Sequence, residues 1–191
     1  MGGFVAVAVA DRAPDRVASL LLVDGGAPMT LPEGASAEEP VADRLLRAQT
    51  SFASFDAYRD VFRAGVGAML DPTDPRLEEY LDYDLVPDGD RYRTRLSPEA
   101  VLQDTADVFG STAPEARFLG LSMPVMLLHA QWSVGAGSPP AYPQAAIDGW
   151  RAQLPHLQTE LIPEVDHAGT VMTEPGAAAV AATVDRATNA T

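Results

Sequence analysis

The hydrophobic positions of the chain fall into two kinds of pattern, which predict different elements. Two continuous apolar runs, Val17–Val23 (VASLLLV) and Pro124–Ala130 (PVMLLHA), stand well apart in the sequence. A run of this length without polar alternation is typical of a parallel strand that is buried on both faces. The segment Gln158–Ile162 predicts a third, shorter strand.

Between the first two runs, apolar residues recur every three or four positions, which is the spacing of an amphipathic helix. Ser97-Pro98-Glu99 is a strong helix start, because a capping Ser is followed by Pro at the first helical position. Between the two runs, helices are predicted over Val41–Thr50, Phe55–Leu70, Pro75–Leu81 and Ser97–Phe109, with a hairpin turn over Val86–Asp90. Outside them, helices are predicted over Phe4–Ala13 (with a strand as the competing interpretation), Gln144–Leu154 and Pro175–Ala187.

The order of these elements predicts an α/β domain, because the outer parts of the chain alternate strand and helix around a parallel sheet. Residues 1–27 and 120–191 are expected to form this core. Residues 28–119 are nearly all helical in pattern and are expected to form an inserted lid. Such a lid would lie over the carboxyl ends of the strands, where open α/β sheets place their sites.

Composition narrows the classes of partner. The formal net charge is -14, and such a field repels nucleic-acid phosphates and anionic membranes, so neither is an expected partner.

The 13 basic residues are all Arg, which with the abundant Ala suggests a GC-rich bacterial genome. The chain has no Cys, which excludes thiolate nucleophiles and disulfides. No basic region precedes the apolar start, and no apolar run approaches the roughly 18 residues of a membrane span; we expect a cytoplasmic protein.

Three ordered segments carry a family resemblance. Met1-Gly2-Gly3 opens an apolar helix, PVMLLHA forms a buried strand, and EVDHAG follows the last strand. Together they resemble the α/β-hydrolase family, in which the nucleophile lies on a strand-to-helix turn of pattern G-x-S-x-G. Bacterial members often read Ser-Met-Gly-Gly at this turn. The resemblance therefore implies a Ser directly before Met1, and a chain truncated at its N-terminus that lacks the nucleophile.

The same resemblance implies that His167, in the segment EVDHAG, is the catalytic histidine. A neutral imidazole can take a proton from a hydroxyl and return it to a leaving group. The family usually places the orienting acid after the strand that PVMLLHA resembles, but residues 117–147 contain no Asp or Glu. Some members place it one strand earlier, where Asp24 stands; Asp24 is the predicted acid, although a turn-forming Asp is the alternative. Less favoured acids are Asp166, Glu160 and Glu164.

The remaining candidates follow from the same comparison. The backbone N–H of Met1 would contribute to the oxyanion hole, and Gly2 and Gly3 would permit the sharp turn. Side chains that could line a substrate pocket are Trp132, Phe55, Tyr58 and Phe62, although the aromatic residues at helical spacing are more often simply lid core. No metal-ligand cluster, phosphate-binding loop or nucleotide fingerprint is visible, so no metal or cofactor is expected.

These observations predict the hydrolysis of a small ester-, lactone- or amide-like substrate by a Ser-His-Asp mechanism. The chain alone is expected to be inactive and to self-associate through an exposed sheet edge, because its first strand would lack a neighbour. The alternative function is a non-catalytic α/β module that binds a small apolar ligand under the lid. A structural or interaction protein has less support.

Overall fold

A computed structural model describes residues 1–29, 42–65 and 69–189 of the chain. Its strands are β1 (Leu20–Val23), β2 (Leu85–Asp88), β3 (Arg91–Thr94), β4 (Val125–Ala130) and β5 (Leu157–Ile162). Its helices are α1 (Gly2–Arg12), α2 (Ala42–Gln49), α3 (Phe55–Ala64), α4 (Pro75–Asp84), α5 (Pro98–Phe109), α6 (Ala113–Leu119), α7 (Gln144–Gln153), α8 (Gly169–Met172) and α9 (Glu174–Asn189). Within these ranges, no helix combines the length and apolar character needed to cross a membrane.

The predicted α/β class is confirmed by a parallel three-stranded sheet in the order β1-β4-β5. Leu22 of β1 is in register with Leu127 of β4, which is in turn in register with Thr159 of β5. The central strand β4 is the most buried of the three, and all of its six residues except Met126 are buried, as expected for a strand covered on both faces. The carboxyl ends of all three strands therefore meet at one edge of the sheet.

Helices cover both faces of this sheet. On one face the buried core joins α1, α6 and α7 to the strands, with Val7, Phe118, Leu127, Ile147 and Trp150 among its members. On the other face a smaller core includes Leu128, Ala130, Ile162 and Val165, against which Ala179 and Val180 of α9 pack. The result is a three-layer arrangement in which hydrophobic burial holds the strands in place.

The chain divides into two compact units, residues 1–29 with 111–191 and residues 30–110. The insertion predicted from the sequence, residues 28–119, extends beyond the second unit at both ends, since residues 28–29 and 111–119 fall in the first unit. Residues 113–119 form α6, which packs against α1 and buries Phe118 completely. The part of the predicted insertion at residues 30–41 lies outside the described residues, and the role of the insertion as a lid stays a prediction.

The second unit has its own core. Helices α2 to α5 accompany an antiparallel hairpin of β2 and β3. Tyr58 and Phe62 are fully buried there, and the ring of Phe52 meets that of Tyr58 edge-on at 5.1 Å between centroids. The hydroxyl of Tyr58 donates a hydrogen bond to the buried carboxylate of Asp84. Burial and this hydrogen bond both raise the pKa of Tyr58.

Several predicted boundaries differ from the structure. The first segment is the helix α1 and not the competing strand. β1 begins at Leu20 and not at Val17, because Val17 closes a short 3-10 turn over Pro14–Arg16. α3 ends before Gly65 and not at Leu70, and residues 66–68 of that predicted helix lie outside the described residues. The hairpin turn tightens to Gly89-Asp90, because residues 86–88 belong to β2 and pair with β3.

β1 is an edge strand among the described residues, since it pairs with β4 alone. The N–H groups of Leu20 and Asp24 donate to carbonyls of β4 and its approach. In a parallel strand the intervening backbone groups, those of Leu21 and Val23, point to the opposite side. These outward-pointing backbone groups form the sheet edge through which self-association is expected, and that association stays a prediction.

Candidate active site

The first component of the site is the turn after β1. Asp24 is only 3% exposed, and its backbone N–H donates to the Leu128 carbonyl at 2.7 Å. One carboxylate oxygen, Oδ1, accepts the Ala130 N–H at 2.9 Å. Asp24 has a positive φ of 45°, a conformation that Asp tolerates better than most residues. The turn thus carries a buried carboxylate at the carboxyl end of the sheet, with one oxygen occupied by the neighbouring strand.

The second component is the loop after β5, which carries His167. The imidazole Nδ1 lies 2.8 Å from the other oxygen of Asp24, Oδ2. A carboxylate can only accept, so Nδ1–H is the donor and Nε2 is left as the second ring nitrogen. The Asp24 side chain is 1% exposed, whereas that of His167 is 48% exposed. The structure therefore brings together the two residues predicted as acid and base, which are 143 positions apart in the sequence.

The start of α1 lies directly against the Asp24 turn. A Cβ on Gly3 would lie 2.5 Å from the Gly25 carbonyl oxygen, and a Cβ on Gly26 would lie 2.7 Å from the carbonyl carbon of Gly3. Gly26 also has a positive φ of 94°. Because real Cβ atoms do not approach backbone this closely, only glycine permits this contact. The predicted turn residue Gly2 has no such neighbour, since a Cβ there would meet nothing within 4 Å.

Of the residues favoured less as the acid, Asp166 and Glu160 have other partners. Asp166 is 1% exposed, and its two oxygens accept the backbone N–H groups of Gly135 and Gly169. Glu160 forms an exposed ion pair with Arg186. Glu164 is exposed and has a positive φ of 59°. The hydrogen bond to His167 Nδ1 is made by Asp24.

The charge of Asp24 affects the pKa of two further side chains, His129 and Tyr142. His129 of β4 is 8% exposed; burial lowers its pKa, and Asp24 opposes that shift. Tyr142 donates its hydroxyl to the Ala27 carbonyl at 3.4 Å. Burial raises the pKa of Tyr142, and the charge of Asp24 raises it further. His129 is therefore a buried histidine of the central strand.

The other predicted site residues are placed as follows. Met1 precedes α1, and its carbonyl accepts the N–H groups of Phe4 and Val5. Trp132 follows β4, is partly buried, and donates its backbone N–H to the Val165 carbonyl at 3.2 Å. The proposed pocket residues Phe55, Tyr58 and Phe62 belong to the second unit, where Phe55 lies under the guanidinium of Arg59 at 4.9 Å, and their contact with substrate stays a prediction.

Two features of the site were not found from the sequence. One is the Ala130 N–H that binds Asp24, which is a backbone group and leaves no side-chain signal. The other is the pair of hydrogen bonds that Asp166 accepts from backbone N–H groups; the sequence indicates Asp166 only as a less favoured acid. Within residues 1–29, 42–65 and 69–189, no three His, Asp or Glu side chains gather into a group that could hold a metal ion.

Comparison with known proteins gives structural matches alone, since no family model and no curated protein sequence matches the chain. The crystal structure of E-2-(acetamidomethylene)succinate hydrolase superimposes with a TM-score of 0.73 at 20% identity, over 95% of this chain and 62% of that protein. A thermophilic esterase from Thermogutta terrifontis, with malate bound, gives a TM-score of 0.55 at 25% identity, over 97% of this chain and 62% of that protein.

A peroxisomal alpha-beta-hydrolase from Saccharomyces cerevisiae gives a TM-score of 0.60 at 15% identity, over 92% of this chain and 47% of that protein. The chain thus spans about three-fifths of the length of the first two structures, at 62% of each. These likenesses establish the fold.

Proposed function

We propose that this chain, which has the α/β-hydrolase fold, supplies the acid–base part of a Ser-His-Asp hydrolase. In this proposal His167 is the general base and then the general acid, and Asp24 orients it. The observation that carries the proposal is the 2.8 Å contact between His167 Nδ1 and Asp24 Oδ2, in which a buried carboxylate meets a half-exposed imidazole.

The geometry supports these roles atom by atom. Because Nδ1–H donates to Asp24, the lone pair of Nε2 is available to take a proton from a hydroxyl nucleophile. The attack of that hydroxyl on a carbonyl carbon forms a tetrahedral intermediate, and His167 then returns the proton to the leaving alcohol or amine as the bond to carbon breaks. The imidazolium formed in between is stabilised by the carboxylate of Asp24.

The nucleophile is proposed to be a Ser joined to Met1. The start of α1 supports this position, because Gly3 is in backbone contact with the turn that carries Asp24. In such a polypeptide the N–H of Met1 would be an amide directly after the nucleophile, the position from which this fold takes one oxyanion-hole donor. Gly3 would serve close packing, as its neighbours Gly25 and Gly26 indicate.

The proposed substrate is a small ester, lactone or amide, and no cofactor takes part. Two of the structures compared above are named as esterase or hydrolase enzymes, one of them acting on E-2-(acetamidomethylene)succinate. At 20% and 25% identity these names support the reaction class of the proposal and leave the acyl group open. The described residues contribute the proton-transfer groups that this reaction class requires.

The test begins with the in-frame codons before Met1 in the genomic DNA, which should end in Gly-x-Ser. The polypeptide that includes this segment should hydrolyse short-chain 4-nitrophenyl esters or small lactones. His167→Ala should abolish that turnover, because no other imidazole pairs with Asp24 among the described residues. The rate of nitrophenolate release measures the effect.

The matched control is His156→Ala, which removes the imidazole from the turn before β5 and should leave turnover unchanged. A stop codon directly before Met1 would contradict the placement of the nucleophile. Full turnover by the His167→Ala protein would overturn the hydrolase mechanism. Binding of small apolar molecules without turnover by the longer polypeptide would favour the non-catalytic module.

A further inference from the structure

The carboxylate of Asp166, next to His167 in the chain, is buried although its neighbour is exposed. Asp166 is 1% exposed. Its Oδ1 accepts the Gly169 N–H at 2.9 Å, and its Oδ2 accepts the Gly135 N–H at 2.9 Å. Burying a carboxylate is costly unless its oxygens are hydrogen-bonded. Here both oxygens are bound to backbone groups, so the side chain is committed to holding the polypeptide and not to the imidazole.

The two backbone groups belong to different loops. Gly169, two residues after His167, begins α8, whereas Gly135 belongs to the loop after β4. We call the loops 131–138 and 164–169 together the clasp. Three more hydrogen bonds join them: Trp132 N–H to Val165 O at 3.2 Å, His167 N–H to Ser133 O at 3.3 Å, and Glu164 N–H to Gln131 Oε1 at 2.8 Å.

The imidazole depends on the clasp because it has little packing of its own. The side chain of His167 is 48% exposed, and among the described residues its ring has one hydrogen bond, from Nδ1 to Asp24. Where the ring can reach is therefore set by the position of its backbone. The hydrogen bond from the backbone N–H of His167 to the Ser133 carbonyl is long, at 3.3 Å, whereas both hydrogen bonds to Asp166 are 2.9 Å.

We infer that Asp166 is a positioning residue, which fixes the His167 backbone between the loop after β4 and the start of α8 so that Nδ1 meets Asp24. The inference rests on the proposed function, in which this pairing selects the reactive tautomer. It extends that function by assigning a role to a carboxylate that touches neither the imidazole nor a reacting atom.

The test is the tautomer of His167 in the 191-residue chain, read from imidazole 15N chemical shifts in alkaline buffer. The parent chain should show the Nδ1–H form, which the bond to Asp24 selects. Asp166→Asn should shift the population toward the Nε2–H form. An amide offers one acceptor oxygen and one donor nitrogen, so either Gly135 or Gly169 loses its partner.

A second variant avoids any change of charge and any loss of the carboxylate. Gly135 has a positive φ of 72°, and a Cβ there meets nothing within 4 Å. Gly135→Ala therefore strains the backbone at the donor without a clash, and should shift the tautomer in the same direction by a smaller amount. If Asp166→Asn does not fold, this variant decides the question.

The matched control for charge is Asp148→Asn on α7, whose exposed carboxylate binds Gln144; it should leave the spectrum unchanged. A folded Asp166→Asn chain with the parent tautomer population would overturn the inference, as would an unchanged population in Gly135→Ala. The measurement needs no turnover. A failure of the proposed hydrolase in the His167→Ala assay is therefore distinct from a failure of Asp166 as a positioning residue.

Discussion

The Asp24 turn and the His167 loop lie at the same edge of the three-stranded sheet, yet different contacts fix them. The Asp24 turn is held by backbone against backbone, where Gly25 and Gly26 meet Gly3 of α1. The His167 loop is held by hydrogen bonds, above all those to Asp166. The first arrangement is sensitive to any added atom, and the second to the loss of one acceptor.

The two kinds of contact match the exposure of the two side chains. Asp24 is buried and must direct one oxygen to Ala130 and the other to His167, which leaves little tolerance in its position. His167 is half exposed, so its loop cannot be fixed by packing and depends on polar contacts. A site assembled in this way separates a rigid acceptor from a base that faces solvent.

The largest expected effect comes from breaking the bond that joins the two regions. Asp24→Asn in the longer polypeptide should lower kcat by roughly 10³- to 10⁴-fold, the loss expected when the wrong histidine tautomer is held. The amide nitrogen would donate toward Nδ1 or face the Ala130 N–H, so one of the two contacts fails. Ester turnover measures the change.

Asp148→Asn serves as the control, because it removes an exposed carboxylate of α7 with no link to His167. Its kcat should equal that of the parent. Unchanged turnover in Asp24→Asn would remove Asp24 as the orienting acid, and would leave the role of His167 to be judged by its own variant.

The second prediction tests the steric side of the comparison. Gly3→Ala should lower the free energy of unfolding by about 1–3 kcal/mol, because the added methyl would lie 2.5 Å from the Gly25 carbonyl oxygen. Denaturant unfolding of the chain measures this loss. The contact is between two backbone segments, so no flexible side chain can move to relieve it.

Gly2→Ala is the matched control in the adjacent position of the same helix. A methyl there meets nothing within 4 Å, and Ala favours helix over Gly by up to about 1 kcal/mol. The stability should therefore stay the same or rise. Equal losses in both variants would show that the cost belongs to the helix start in general and not to its contact with the Asp24 turn.

The elements that burial dictates could be predicted from the sequence. β4 was found because a continuous apolar run has few alternatives in an α/β chain, and the start of α5 was found because Ser97 and Pro98 form a recognisable cap. α6 and α8 were not found, because helices of seven and four residues are too short to show a period. Their positions depend on packing against elements that are distant in the sequence.

The candidate site shows the same limit. Asp24 and His167 were paired through a family resemblance, since no local pattern links residues 143 positions apart. The bonds from Asp166 to Gly135 and Gly169 could not be predicted, because a donor that is a backbone N–H can belong to any residue type except proline. The conformation of loop 131–138 decides which backbone N–H of that loop donates to Asp166.

The smallest expected effect concerns the second imidazole near Asp24. His129 is 8% exposed, and its Nδ1 has no hydrogen-bond partner in the described part of the chain. Burial lowers the pKa of His129 below its ordinary value of 6.5, although Asp24 partly opposes the shift. The folded chain therefore keeps this imidazole neutral at a pH where the unfolded chain protonates it.

The sign of the pH dependence follows. The stability associated with neutral His129 is complete above pH 6.5 and is lost as the pH falls through the lowered pKa of the folded state. In His129→Gln this loss is absent, so the unfolding free energies of the parent and the variant should run parallel above about pH 7 and converge or cross as the pH falls below 6.5, by no more than about 1.4 kcal/mol for each unit of pKa shift. Curves that stay parallel throughout would show that burial does not keep His129 neutral.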